Sequence, residues 1–275
     1  MTGIIAAATA AHVPTLGRAE ITPDFQQTLV SGEHEMGAEL RALKPDLWVV
    51  VSAHWVATFD WLVTCQPVHE GMCVADEAPN LIPGIPYRYR GDAEFAGALI
   101  EELGRAGVPT ARNDSTHYEW DYGTYVPLKH LDPEAELAVV GLPSVLMADH
   151  AECLKAGAAV HATAKRLGRK VIFLASTAFS HVLVRGRHNW PADERMAADK
   201  AFIEKLKSGA IDDAIAGFGP YSKLVGAEMG GRPLATLLGV ARAMTAEGKR
   251  LSGRQYGNYA QSSASGNANV VLTAR

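Results

Sequence analysis

The sequence predicts an α/β fold: a single domain with a central, mostly parallel or mixed sheet and helices on both faces. Three observations carry this reading. Short apolar runs of strand length, several of them β-branched, recur along the chain. Between them lie longer segments with apolar residues at helical spacing, opened by Asp or Pro and closed by Gly or Pro. No internal repeat and no linker interrupts the alternation, so residues 1–275 read as one domain.

The elements follow in order. Residues 4–9 (IIAAAT) form a short buried strand; the first Lys or Arg is Arg18, so the opening lacks the charged start of a secretion signal. Residues 31–44 are helical, with Met36, Leu40 and Leu43 at spacings of four and three, and Pro45 stops them. Residues 46–53 (DLWVVVSA) suit a strand buried on both faces. A further strand is expected over 59–65. Residues 66–89 are rich in Pro and Gly and read as a long irregular excursion. Residues 92–106 form an amphipathic helix capped by Asp92 and ended by Gly107. A strand over 137–142 precedes a helix over 149–167, opened by Asp149 and Glu152 at capping-box spacing. KVIFLAST, 170–177, is another buried strand. Pro191 and Pro233 open helices over 191–207 and 233–245, and 269–273 is the last strand.

Composition narrows the function. Twenty-six Lys and Arg against 30 Asp and Glu give a net charge of −4, so there is no basic excess to neutralise phosphates and no nucleic-acid partner is expected. No uninterrupted apolar run of about 18 residues appears, so no membrane span is expected. Cys65, Cys73 and Cys153 are an odd number without a CxxC pair, which argues against disulfides and points to the reducing cytoplasm. The ten histidines are the richer pool of metal ligands.

Three of those histidines follow buried strands: His12 after the first, His54 after DLWVVV and His181 after KVIFLA. In open α/β sheets that edge gathers ligands and catalytic groups. Glu228 stands apart as a lone carboxylate in the small, Gly-rich stretch GAEMGG before a helix. Two histidines and a carboxylate hold Fe(II) with open positions, or Zn(II) with a water; residue types alone do not separate the two. A third histidine off the metal suits acid/base work near neutral pH. His34, His130, His150 and His161 have no comparable setting.

The segments IIAAATAAHVPTLG, SAHW, WDYGTYVPL, STAFSHVL and GAEMGG, in that order, resemble the class III extradiol ring-cleavage dioxygenases, the superfamily of the protocatechuate 4,5-dioxygenase β-subunit. The resemblance runs from Ile4 to about Val271. It implies Fe(II) on His12, His54 and Glu228, with His181 as the acid/base. The implied partners are a catechol-type or 2-aminophenol-type aromatic and O2, and the implied product a muconic semialdehyde type of compound. A homo-oligomer, with a small companion subunit as a variant, is implied too. One position departs. Many relatives carry D-H-G-x-x-V-P, whereas this chain reads Asp121-Tyr122-Gly123-Thr124-Tyr125-Val126-Pro127, so Tyr122 is expected at the substrate, with His117 nearby. Two alternatives stand beside this reading: a zinc hydrolase on the same ligands, and a non-catalytic companion subunit, which lost ligands would mark.

Overall fold

Four strands with almost wholly buried side chains lie parallel at the centre of the computed structural model, which describes residues 2–274. They are β1 (Gly3–Ala10), β2 (Leu47–Ala57), β7 (Ala138–Val145) and β8 (Lys170–Ser176). Burial on both faces explains why they read as continuous apolar runs. The last two strands, β9 (Leu251–Ser262) and β10 (Ser265–Ala274), extend the sheet antiparallel from β1. The order is β7-β2-β8-β1-β10-β9, a mixed sheet as expected.

Side chains of β2 alternate between two cores. Leu47, Val49 and Val51 face α2 (Ala93–Arg105), α4 (His150–Arg166) and α8 (Arg232–Thr245). Trp48 and Val50 face α1 (Gln27–Ala42) and α3 (Tyr122–Leu131). Helices α5 (Asp193–Ser208), α6 (Ile211–Ala216) and α7 (Phe218–Val225) complete the first layer. Helices α4 and α8 touch backbone to backbone at Gly157: a Cβ there would lie 2.1 Å from the Thr236 carbonyl oxygen. Among the described residues, no helix is long and apolar enough to cross a membrane.

The structure corrects the expected pattern in several places, and it adds β6 (Thr110–Asn113), α3, α6 and α7, which were not expected. The 66–89 segment is not irregular: β4 (Val68–Val74) and β5 (Pro83–Arg90) form an antiparallel hairpin. Its prolines are tolerated because β5 has only one partner strand, and Tyr87 and Tyr89 turn inward onto Trp120, with ring centroids 4.8 and 4.9 Å away. Helix α1 begins at Gln27, earlier than expected, behind the last of three short 3-10 turns. Strand β9 was not anticipated at all, because the turn joining it to β10 uses Ser263 and Ala264 at positive φ (51° and 66°) where Asn-Gly is the usual signal. Strands β3 (Trp61–Thr64) and β6 (Thr110–Asn113) pair as a separate parallel ribbon.

Candidate metal centre

Each of the singled-out side chains is set by a local break in the regular structure. His12 lies two residues past β1, where Asn269 of β10 accepts the Ala11 amide proton at 2.9 Å. His54 does not follow a strand, as expected, but sits inside β2. Pairing of β2 with β7 jumps from Val51↔Leu142 to Val56↔Ser144. The partner residue in the gap is Pro143, which has no N–H to donate to the ladder, and opposite it β2 carries extra residues, His54 among them, that leave the β7 pairing. Glu228 opens a 3-10 turn between α7 and α8, with Met229, Gly230 and Gly231 all at positive φ. His181 follows β8 on a strip bridged to both sides: Ser180 to Ala227, and His181 to Ser265.

These breaks bring three imidazoles to one oxygen. Glu228 Oε1 lies 3.2 Å from His12 Nε2, 3.5 Å from His54 Nε2 and 3.3 Å from His181 Nε2. The other oxygen, Oε2, accepts the Ala178 amide at 2.6 Å. The Glu228 side chain is only 4% exposed. Burial alone would raise its carboxyl, but the facing histidines outweigh that and hold it well below the usual carboxylate range. Burial pulls His54 down, and Glu228, Asp121 and Glu77 together lift it above its ordinary value. Burial lowers His181, with Glu228 opposing and the other two histidines reinforcing.

The donor set fits a divalent cation. One ligand atom each from His12, His54 and Glu228 lie within 4.8 Å of one another. The Ser176 hydroxyl donates to the Gly123 carbonyl, so its oxygen is left to accept the His12 Nδ1 proton at 3.1 Å. Without a cation, His12 Nε2–H donates to Glu228 Oε1 at 3.2 Å; with Nδ1–H kept on Ser176, loss of that Nε2 proton would leave the lone pair for a cation. His54 Nδ1 lies 3.2 Å from Glu77 Oε1, while its Nε2 accepts the Tyr122 hydroxyl at 2.7 Å. Two imidazole lone pairs and a carboxylate oxygen facing each other are the chemistry of a cation site.

Tyr122 is the first residue of α3, and the Asp121 cap accepts the Thr124 amide at 3.0 Å. Gly123 lets this helix end press against β2: a Cβ there would lie 2.5 Å from Ser52 Oγ and 3.3 Å from His54 Cδ2. A cavity of about 350 Å³ opens over the cluster, with His12, His54, Tyr122, His181, Arg187 and Glu228 among its walls. His117 is not brought to this cavity. It is exposed and lines a neighbouring one of about 570 Å³, on the far side of a wall made by His54, Glu77 and Tyr122. Sequence reading passed over Ser176 and Glu77. Ser176 carried a signal, since it is the last residue of a buried strand beside a histidine motif; Glu77 carried none. The buried histidines outside the cluster are occupied elsewhere: His69 and His130 contact the Val139 and Leu16 carbonyls, and His161 accepts the Ile4 amide.

Comparison with known proteins gives the fold and the family. A crystal structure of an uncharacterized protein, JW3007, from Escherichia coli K12 superposes over 97% of this chain and 99% of its own, with a TM-score of 0.66 at 16% identity, and so shares the fold. The chain is 27% identical over 213 residues to a 2-aminophenol 1,6-dioxygenase alpha subunit from Pseudomonas sp, covering 74% of this chain and 77% of that one. It is also 27% identical over 192 residues to a 2-aminophenol 1,6-dioxygenase beta subunit from Pseudomonas sp, covering 65% of this chain and 63% of the relative. Residues 6–265 match the family model described as the catalytic LigB subunit of aromatic ring-opening dioxygenase, and the chain belongs to that family.

Proposed function

We propose that this protein is an Fe(II)-dependent extradiol dioxygenase that uses O2 to open a catechol-type or 2-aminophenol-type ring, with residues 1–275 acting as one catalytic domain. The observation that carries the reading is the convergence of His12 Nε2 and His54 Nε2 on Glu228 Oε1 at the floor of a cavity, in a chain of this family. His12, His54 and Glu228 would hold the metal. Fe(II) held there would lower the pKa of a coordinated hydroxyl and bring the two reactants together.

The protein's own groups do the rest. Burial favours neutral His181, so its Nε2 is ready to take a proton from the substrate and return it later. Burial, then the Glu77 carboxylate, push the Tyr122 phenol far up, so this group serves as a neutral donor and not as a base. The walls of the cavity hold the ring beside these atoms, which is catalysis by position. Three buried free cysteines accord with a cytoplasmic location. The two named subunits among the relatives support an oligomer, either of this chain or with a small companion.

The test is anaerobic reconstitution with Fe(II), followed by an oxygen-electrode screen over catechols, gallates and 2-aminophenols. Ring-opening oxygen uptake with Fe(II) and none with Zn(II) is expected. Metal-bound protein that consumes no oxygen on any of these, but hydrolyses with Zn(II), would overturn the reading.

A further inference from the structure

The hairpin of β4 and β5 does more than fill a gap between elements. Its tip, residues 75–82, bends over the metal-ligand cluster and lines the cavity with Glu77, Ala78 and Leu81. The tip is a defined turn. Ala75 N–H donates to the Ile82 carbonyl at 3.1 Å, and Leu81 N–H to the Ala78 carbonyl at 2.9 Å. Apolar contacts hold it down: Ala75 and Ile82 are fully buried, and Ile82 packs where Gly17, five residues past His12, has no side chain.

Glu77 is the only charged residue of the tip at this cavity. Its side chain is 56% exposed, yet it turns inward, and Oε1 stops 3.2 Å from His54 Nδ1. Among the described residues, no Lys or Arg nitrogen lies within 4.0 Å of it; His54 is its one ionic neighbour. The two imidazoles proposed as ligands are thus served differently. His12 has Ser176, a hydroxyl at the end of a sheet strand. His54 has a carboxylate delivered by a hairpin tip.

Resting on the metal site proposed above, we propose that Glu77 is a positioning residue for His54. A carboxylate 3.2 Å from Nδ1 favours the His54 proton on that nitrogen, which leaves the Nε2 lone pair for the metal. The tip then acts as a strap whose closure and metal affinity reinforce each other. Linkage requires the reverse as well: a bound metal must hold the tip closed.

The experiment is a Co(II) titration of the full chain, read by the visible absorption of the bound ion, on wild type, Glu77→Ala, Glu77→Gln and His12→Ala. Glu77→Ala should bind Co(II) roughly 10–100-fold more weakly, the usual cost of losing such a partner. Glu77→Gln should recover part of the loss, because its amide oxygen still accepts from Nδ1–H. Melting of the metal-free variants should match wild type, since the side chain is mostly in solvent. Co(II) should slow proteolysis at residues 75–82 in wild type and not in Glu77→Ala. Wild-type Co(II) affinity and spectrum in Glu77→Ala, while His12→Ala loses binding, would overturn the role of Glu77 alone. Equal binding by wild type and His12→Ala would instead remove the metal site, and this proposal with it.

Discussion

Ser176 Oγ lies 3.1 Å from His12 Nδ1 and gives its own proton to the Gly123 carbonyl. The hydroxyl is therefore an acceptor toward His12, and the imidazole is locked with its proton on Nδ1. Because Ser176 ends β8 and Gly123 lies in the first turn of α3, one hydroxyl ties His12 to both the sheet and the helix. Ser176→Ala should fold, since it removes one buried atom, but should weaken Fe(II) or Co(II) binding by roughly tenfold, the lower end for loss of such a partner. Calorimetric titration measures this. An unchanged affinity would mean that packing alone orients the ring.

Glu228 should be the least replaceable of the three proposed ligands. Its Oε1 is the point on which three imidazoles converge, and its Oε2 is held by the Ala178 amide. Glu228→Gln keeps the shape and the amide contact but removes the charge that faces the histidines. Metal content by mass spectrometry should fall to a small fraction of wild type, and ring cleavage should vanish. Full metal occupancy with full activity in Glu228→Gln would refute the assignment.

His181 is separable from the metal set by its phenotype. Its Nε2 is 3.3 Å from Glu228 and its side chain is 29% exposed toward the cavity. His181→Ala should retain the metal and lose turnover by roughly 10²–10⁴-fold, the scale of general acid/base catalysis. Loss of metal in proportion to activity would move His181 into the ligand set.

The parts of the fold that could be read in advance are those where one local rule suffices. Strands β1, β2, β7 and β8 are apolar runs because both faces are covered. Helices α2 and α4 begin at Asp92 and Asp149, whose carboxylates accept the Phe95 and Glu152 amides. What escaped reading depends on partners distant in sequence. The bulge that carries His54 lies opposite Pro143, on a strand 89 positions later. Strand β9 alternates weakly at a sheet edge and turns on Ser263-Ala264, residues that do not announce a hairpin. The histidines and Glu228 were visible because strand ends and Gly-rich turns have a sequence signature. Glu77 is a solvated glutamate in every respect except its neighbour, and only the hairpin supplies that.

His130 should make the metal-free protein sensitive to mild acid. Burial pushes its pKa down from 6.5 to about 4, with the nearby His34 and Lys129 adding to the effect. Its Nε2 contacts the Leu16 carbonyl at 2.8 Å, so the neutral ring donates there. The unfolded chain takes up a proton below about 6.5 that the folded chain refuses until about 4. The stabilisation is therefore complete above pH 6.5, is lost as the pH falls toward 4, and is constant below that. The loss is of the order of 3 kcal/mol at most. Urea unfolding of wild type and His130→Gln at pH 7 and 4.5 checks this: the glutamine variant should lose less stability between the two. Parallel losses would mean that other groups, the cluster histidines first, set the acid response.

Tyr122 is where the site departs from many of the proteins it resembles, and its position gives two opposite expectations for one substitution. The phenol ring lies against His54, with centroids 4.0 Å apart, and its hydroxyl donates to the nitrogen that a metal would use. A metal must displace that hydrogen bond, which is worth about 0.5–1.5 kcal/mol net. Tyr122→Phe keeps the ring in place and removes the competitor, so metal affinity should stay level or rise by up to about tenfold. Turnover should move the other way. Once displaced from Nε2 the hydroxyl faces the cavity, where it is a neutral donor beside the reacting ring. Its loss should cost roughly 1–3 kcal/mol in kcat/KM for substrates that accept from it, and less for those that do not. Paired Co(II) titrations and oxygen-uptake kinetics over catechols and 2-aminophenols read both effects on one variant. Weaker metal binding in Tyr122→Phe would make the hydroxyl a support for His54 and not a competitor, and an unchanged substrate ranking would leave Tyr122 as a wall of the cavity.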